Sequence, residues 1–280
     1  MTGIQMGWRS LALLASLALL GSGCERADSK TVNANDASAA PRASALASHY
    51  GSCSAFTADL RIIAKPVEAE MLSFSISLWA DTDGRVRISG KKFNVHFLEG
   101  MVDAEENFTA VLVRDQAVVR GTLQEIAAAV SQGEAAGGAA FSELATITSV
   151  LRNGPLASAT AWRWGSAADG SETLIGDLGS VGQTWMVRVD GMKVKHSTLR
   201  NADGEPLFSL RYTHEREFER LIRAQGSHLD VVGDDSSYLF RLQRFNAVPG
   251  ISDDSMALNV PEDWANLSID EFLQLLVAPE

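Results

Sequence analysis

The stretch Leu72-Ser73-Phe74-Ser75-Ile76-Ser77-Leu78 alternates strictly between apolar residues and serine. A period of two is typical of a β-strand that buries one face and turns the other to solvent. Asp81-Thr82-Asp83-Gly84 follows it, and then comes Arg85-Val86-Arg87-Ile88-Ser89. An Asp-Gly turn between two segments of this kind predicts a β-hairpin.

Two further hairpins are predicted in the second half of the chain. Residues 184–189 and 192–196 flank Asp190-Gly191, and residues 228–232 and 238–245 flank a Gly-Asp-Asp-Ser turn. Both pairs have the apolar alternation of strands on either side of turn residues. Residues 215–224 are ambiguous, because their apolar side chains suit either a helix or a strand.

Helices are predicted in the middle of the chain and at its end. Thr122 and Glu125 form a capping box before 126–130, and Ser268 and Glu271 form another for a short C-terminal helix. Residues 141–151 place apolar side chains on one helical face, which Asn153-Gly154-Pro155 terminates. Hairpins in series, with helices inserted and no βαβ alternation, predict an α+β fold with an antiparallel sheet and helices on one face.

The N-terminus carries the pattern of an export signal. Arg9 precedes ten mostly apolar residues, and Gly21-Ser22-Gly23-Cys24 follows them. The layout resembles a bacterial lipoprotein signal, which implies that residues 1–23 are removed and that Cys24 carries the lipid anchor. An ordinary secretory signal with an incidental cysteine is the alternative. Under the sorting rule known from enteric bacteria, the absence of Asp after Cys24 favours the outer membrane.

Composition separates a tether from a folded region and excludes some partners. Half of residues 25–48 are Ala or Ser and Pro41 lies among them, so 24–48 is predicted to be a flexible tether and 49–280 a single domain. The chain has 24 Lys and Arg against 35 Asp and Glu, a net charge of −11, which argues against a nucleic-acid partner. With Cys24 acylated, Cys53 has no partner for a disulfide within the chain.

Several stretches share their order with a known family. They are Asp83-Gly84-Arg85-Val86-Arg87-Ile88, Trp185-Met186-Val187-Arg188-Val189, residues 199–212, residues 240–248, and Ala257-Leu258-Asn259-Val260-Pro261. This order resembles the LolA/LolB-like superfamily of lipoprotein-localisation carriers and receptors. The resemblance implies a strongly curved antiparallel sheet, a half-barrel, with helices covering a concave face that receives acyl chains. It also implies an arginine that helps to switch the helical lid, for which the sequence indicates no residue.

An acyl-binding cavity needs apolar side chains on its wall. The residues predicted to line it come from the serine-alternating strand and from the tryptophans of the second half: Leu72, Phe74, Ile76, Leu78, Trp162, Trp164 and Trp185. The alternative is that these side chains only form the core, as alternating strand residues commonly do.

The function predicted from these features is that of a periplasm-facing, membrane-anchored lipoprotein. Its ligand would be a lipid or the acyl chains of another lipoprotein, with a role in transport to the outer membrane. A non-enzymatic scaffold that binds an envelope protein is the second hypothesis. A hydrolase is the third, but no nucleophile with a base in reach is evident. No catalytic residue, cofactor or metal site is predicted, since the five histidines lack ligand spacing.

Overall fold

The computed structural model describes residues 39–65, 71–122, 125, 147–165, 171–178, 182–231 and 237–272. The predictions for the signal segment 1–23, for Cys24 and for the helical stretches 126–130 and 141–146 lie outside these residues. Among the described residues, the helices are α1 (Ala39–Tyr50), α2 (147–153) and α3 (Asp253–Met256). A 3-10 turn at Gly154–Leu156 follows α2, and a helical turn lies at 269–272.

Strands make up most of the described structure. In chain order they are β1 (Ala55–Lys65), β2 (Leu72–Ala80), β3 (Val86–Lys92), β4 (Val95–Val102), β5 (Asn107–Leu112), β6 (Ala117–Thr122), β7 (Thr160–Gly165), β8 (Glu172–Leu178), β9 (Gln183–Asp190), β10 (Lys193–Arg200), β11 (Pro206–Phe218), β12 (Leu221–Val231), β13 (Ser237–Val248) and β14 (Ala265–Leu267). Their hydrogen-bonded order is β14-β6-β5-β4-β3-β2-β1-β13-β12-β11-β10-β9-β8-β7.

The sheet is open and antiparallel for most of its length. Pairs within β1–β6 and within β7–β13 are antiparallel, and the short strand β14 pairs with β6 in parallel. Among the described strands the order ends at β14 on one side and at β7 on the other, so the sheet does not close. The antiparallel sheet is therefore confirmed, whereas helices covering a concave face stay a prediction.

The chain forms two compact units within the range 49–280 that the sequence predicts as one domain. The first contains β1–β6, β14 and β13 from Gln243 onward, and the second contains α1, β7–β12 and β13 up to Leu242. In a meander each strand contacts its neighbours in sequence, so contacts accumulate separately within each run of strands. The boundaries between the two units fall inside α2 and inside β13. The sequence therefore has no linker-like composition at either boundary.

Local packing in the first unit follows from the sequence patterns. The Asp81–Gly84 turn joins β2 to β3 as predicted, and Arg85 binds the carboxylates of Asp81 and Asp253 at 2.8 and 2.6 Å. Phe56 of β1 stacks on Phe245 of β13 with ring centroids 5.3 Å apart. These contacts hold the C-terminal part of the first unit against its N-terminal strands.

Both predicted capping boxes are confirmed. The Glu125 carboxylate accepts from the Thr122 N–H at 2.7 Å, and the Thr122 hydroxyl accepts from the Glu125 N–H at 3.2 Å. Ser268 and Glu271 repeat this reciprocal pair at 2.7 and 3.2 Å. Each box satisfies two N–H groups that the first turn of a helix would otherwise leave unbonded.

The predicted tether is wrong for residues 39–48, which form most of helix α1. Pro41 does not prevent this helix, because it lies in the first turn, where the missing N–H has no intrahelical partner to lose. Ala43, Leu46 and Tyr50 are buried and lie three or four residues apart, so one face of α1 packs into the second unit. The folded region therefore begins at least ten residues earlier than the predicted start at residue 49.

The ambiguous segment 215–224 is a β-hairpin. β11 continues to Phe218, β12 begins at Leu221, and Phe218 pairs with Leu221. Glu219, in the connecting turn, has a φ of 56°. Residues with a Cβ seldom adopt this left-handed conformation, so the hairpin is held by its long strand pairing rather than by a favourable turn residue.

We predict that Glu219→Gly raises the free energy of unfolding by about 0.5–1 kcal/mol, because glycine adopts a positive φ without steric cost. Urea unfolding of the full chain measures the change. Glu217→Gly is the matched control, since it places glycine inside β11 and is expected to lower stability by about 0.5–1 kcal/mol. Equal effects of the two substitutions would contradict this reading of the turn.

Candidate functional site

The four candidate residues of β2 share one buried face. Leu72 and Phe74 are each 7% exposed, Ile76 is 1% exposed and Leu78 is fully buried. Their cross-strand partners on β1 include Ile62 and Leu60, opposite Phe74 and Ile76. The alternation in the sequence therefore identified correctly which side of β2 faces inward.

An aromatic ring that the sequence analysis did not assign to the site lies on this face. A Cβ built on Gly90 would come within 2.8 Å of the Phe97 ring, so that ring covers the glycine. Gly90 lies opposite Ile76, and the Phe97 and Phe74 rings meet edge to face with centroids 6.1 Å apart. Phe97 is therefore part of the apolar wall, and glycine at position 90 provides the room that it occupies.

The three candidate tryptophans lie in the second unit and share one face of its strands. Trp185 of β9 is opposite Gly176, and the Trp162 ring lies 3.0 Å from the Cβ position of that glycine. Trp164 pairs with Leu174, which is two residues from Gly176 along β8 and so points the same way. Trp162 is half-buried and Trp164 is 38% exposed.

Trp185 has the contacts of a core residue. It is fully buried, and its indole N–H donates to the Pro155 carbonyl at 2.9 Å. Its ring packs against Phe208 with centroids 6.2 Å apart. A buried indole needs such an acceptor, and Trp185 thereby fixes the 3-10 turn over the sheet.

Two cavities in the second unit are lined by residues other than the seven candidates. The larger has a volume of about 370 Å³ and an apolar floor that includes Met192 and Ile222. Its other lining residues are His49, Asp190, Lys193, Glu215, Arg216 and Glu217. The smaller has a volume of about 40 Å³ and lies among Tyr50, Leu151, Tyr212 and Arg223. None of the seven candidate residues lines either of these two sites.

Arg223 of β12 is a buried polar residue that the sequence does not identify. Its side chain is 2% exposed. It donates to the carbonyl oxygens of Leu151 and Arg152 at the end of α2, at 2.6 and 2.8 Å. It also donates to those of Tyr50 and Gly51 at the end of α1, at 2.8 and 3.2 Å.

These contacts set the electrostatics around Arg223. Burial lowers the pKa of its guanidinium, and the nearby thiol of Cys53 opposes that effect. Burial also raises the pKa of Cys53, while Arg223 and Arg152 act in the other direction. Cys53 donates to the Arg152 carbonyl across 3.6 Å, so the thiol belongs to the same cluster as the two helix ends.

Tyr50 completes the cluster from the α1 side. Its hydroxyl donates to Glu215 and accepts from the Val194 N–H at 2.8 Å. Burial is the main cause that raises the pKa of this phenol, and the bond to Glu215 adds to it. The last residue of α1 is thereby bonded through its side chain to β10 and β11, and through its carbonyl to Arg223 of β12.

The hairpin tip between β3 and β4 exposes large apolar side chains. Phe93 is 85% exposed and Val95 is 67% exposed. Phe93 and Asn94 both have positive φ angles, 49° and 65°, which make the turn tight. Lys91 and Lys92 precede the tip, and the Lys92 ammonium lies 5.7 Å from the Phe93 ring centroid.

No group of three or more His, Cys, Asp and Glu in them could hold a metal ion. No helix within the described part of the chain combines the length and the apolar character needed to cross a bilayer.

Solved structures share this fold. A LolA superfamily protein from Nitrosomonas europaea superposes with a TM-score of 0.52 at 11% identity, over 79% of this chain and 98% of that one. A DUF1329 family protein from Desulfovibrio piger gives a TM-score of 0.52 at 11% identity, over 78% and 96% of the two chains. No protein-family model matches the sequence, and the comparison with curated proteins finds no match. The chain has a LolA-like fold, as the order of its motifs predicts.

We predict that Arg223→Met lowers the free energy of unfolding by about 3 kcal/mol or more, because it leaves several buried carbonyl groups without donors. Arg223→Lys keeps the charge but has fewer donors in a less suitable geometry, so its loss should be smaller. Denaturant unfolding of both variants tests this order. Stability of the methionine variant equal to that of the unchanged chain would contradict the structural role of Arg223.

Proposed function

We propose that this protein is a lipid-anchored lipoprotein of the bacterial envelope that faces the periplasm and binds the acyl chains of a lipid or of another lipoprotein. It acts without catalysis, as a binding protein in lipid or lipoprotein transport. The observation that carries the proposal is the LolA-like fold, in which an open antiparallel sheet presents buried apolar strand faces. The step from fold to ligand is an analogy at the level of the fold.

The ligand would lie against the apolar faces described above. Leu72, Phe74, Ile76 and Leu78 offer one continuous strip along β2, with the Phe97 ring beside it. In the second unit, Trp162 is half-buried and Trp164 is 38% exposed, so both side chains have accessible surface that a ligand can contact. As the finer form of this fold we propose a sheet that curves as a half-barrel, with helices over its concave side.

The arginine that the family resemblance implies has a candidate in Arg223. It binds carbonyl oxygens at the ends of α1 and α2, and α2 is the end of the predicted helical insertion. We propose that these bonds hold the helices in the ligand-free arrangement. A ligand that displaces α2 would have to replace or release them.

The N-terminal sequence supports a position at the membrane. Cys24 follows Gly21-Ser22-Gly23, and 14 residues separate it from the start of α1 at Ala39. As a flexible coil, a segment of that length reaches roughly 20 Å. An acylated Cys24 would therefore keep the folded part within about that distance of the bilayer, in the outer membrane rather than the inner one.

The exposed tip between β3 and β4 supports the same position. Phe93 and Val95 present apolar surface to solvent, which costs free energy unless a partner covers it. Lys91 and Lys92 are suited to anionic lipid headgroups beside an inserted aromatic ring. The tip would thus contact lipid while the anchor holds the chain nearby.

We predict that the chain recovered from bacterial membranes lacks residues 1–23 and carries acyl groups on Cys24. Each buried methylene contributes about 0.8 kcal/mol, so several acyl chains give firm membrane attachment. Intact-mass spectrometry measures both features. Cys24→Ser should show neither the acyl mass nor this cleavage, and Cys53→Ser is the control that should keep both. Acyl groups that persist in the Cys24 variant would refute the anchor.

We predict that the natively purified protein releases lipid on extraction with organic solvent and takes up a fluorescent fatty acid. Leu72→Lys places an ammonium on the proposed apolar wall and should weaken fatty-acid binding about tenfold or more, because a buried charge is costly to desolvate.

Ser73→Lys is the matched control for that measurement. It adds the same side chain one residue further along β2, on the opposite face, and should leave binding unchanged. Circular dichroism of both variants establishes that they are folded. If the protein releases no lipid and takes up no fluorescent fatty acid, the proposal that its ligand is a lipid or an acyl chain is contradicted.

A further inference from the structure

The smaller of the two cavities has polar side chains in its wall. Its volume is about 40 Å³, and Tyr212, Ser227 and Glu215 are among its lining residues. Tyr212 of β11 lies directly opposite Ser227 of β12, so the two side chains project to the same side of the sheet. Leu151 of α2 and Pro155 of the 3-10 turn line the same cavity. Polar side chains of the sheet therefore face the end of α2 across a small space.

The cavity lies where β10 and β11 stop pairing with each other. Their pairing ends at His196 and Arg211, although both strands continue beyond that pair. The N–H of Val194, two residues before His196, donates to the Tyr50 hydroxyl at 2.8 Å. Val194 and Tyr50 also line the cavity. The separation of the two strands thus leaves a space in which polar groups need partners other than the strand ladder.

The Tyr212 hydroxyl is a polar group that needs such a partner. Its oxygen is buried, and no protein group in the described part of the chain forms a hydrogen bond with it. Burial raises the pKa of this phenol, and the nearby Ser197 opposes that effect. The Ser197 hydroxyl itself donates to the Pro155 carbonyl at 3.4 Å. Buried hydroxyl groups in folded proteins are bonded either to protein or to ordered water.

The charges around the cavity favour a neutral ligand. The guanidinium of Arg223 and the carboxylate of Glu215 belong to residues that both line it. The first opposes a bound cation and the second opposes a bound anion. A water molecule is neutral, donates as well as accepts, and needs only about 10–15 Å³. The volume of about 40 Å³ therefore admits water and is too small for an acyl chain.

We propose that this cavity binds an ordered water molecule that accepts the O–H of Tyr212 and donates to the Glu215 carboxylate. Glu215 already accepts from Tyr50, and a carboxylate has further lone pairs for a second donor. The Ser227 hydroxyl is a third partner, and a buried water typically has two to four. The water connects Tyr212 of β11 to the cluster that Tyr50 and Arg223 form with the helix ends. This site is independent of the proposed acyl-binding function.

The first experiment compares Tyr212→Phe with the unchanged full chain, in a neutral detergent, by urea unfolding. Removal of a hydroxyl that is bonded to water should lower the equilibrium constant of folding about fivefold, as the loss of one hydrogen bond does. A hydroxyl that is buried without any partner predicts the opposite sign, because phenylalanine then removes a group that is costly to bury. An unchanged or raised equilibrium constant would overturn the proposal.

The second experiment counts the water molecules that stay bound while the protein tumbles, by magnetic relaxation dispersion of oxygen-17 in the same full chain. The oxygen signal follows whole water molecules, so proton exchange with hydroxyl groups does not contribute to it. Tyr212→Phe should have at least one long-lived water fewer than the unchanged chain. Equal numbers would mean that the hydroxyl has no water partner, and the proposal would be wrong.

Tyr238→Phe is the matched control for the water count. Tyr238 is a buried tyrosine of β13 in the same unit, and it is not among the residues that line the cavity. Its replacement removes the same atom and should keep the number of long-lived waters. An equal loss in both variants would refute the assignment to this cavity. Fatty-acid uptake should stay unchanged in Tyr212→Phe, so this proposal and the acyl-binding function fail on different measurements.

Discussion

The buried guanidinium of Arg223 is the interaction on which the second unit depends. Removing an arginine from water costs several kcal/mol unless its N–H groups find acceptors. Here the acceptors are carbonyl oxygens at the C-terminal ends of α1 and α2, where the helix dipole concentrates partial negative charge. The carbonyls of Tyr50 and Leu151 would otherwise lack these donors, since the last turn of a helix leaves its carbonyl groups unbonded. Arginine and helix ends therefore stabilise one another, and neither can be buried alone.

The close approach of the two helix ends needs small residues as well as charge. Gly154, which follows α2, has a φ of 72°, and a Cβ on it would come 2.7 Å from the Cβ of Tyr50. Glycine is the residue that both the conformation and the space allow. Pro155 then directs its carbonyl to Trp185, so the end of α2 is bonded both to β12, through Arg223, and to β9. A few residues between α2 and β7 thus determine how the helices lie on the sheet of the second unit.

The sequence predicts an element correctly where the interactions that form it join residues close together in the chain. The Asp-Gly turn after β2, the capping boxes at Thr122 and Ser268 and the inward face of β2 all follow from residues within a few positions of one another. Helix α1 is not predicted in this way, because the Ala and Ser content of residues 25–48 matches that of a flexible linker. The buried positions 39, 43, 46 and 50 already had helical spacing. Arg223 could not be found this way, because the carbonyls of both helix ends lie at least 71 residues from it in sequence.

The same limit applies to the apolar wall on β2 and to the charged residues of β9 and β10, because strand register decides which side chains are neighbours. Alternation along β2 predicts which side chains point inward, but only the pairing with β3 places Gly90 opposite Ile76 and so admits the Phe97 ring. The neighbours of the charged residues on β9 and β10 depend on register even more directly. The pairing of β9 and β10 shifts between Val194 and His196, so that His196 rather than Lys195 lies opposite Arg188. A one-residue bulge of this kind changes which side chains share a face, and the residue pattern of a single strand carries no sign of it. An isolated strand sequence therefore predicts which residues alternate between the two faces, whereas their alignment across neighbouring strands arises only when the strands pair.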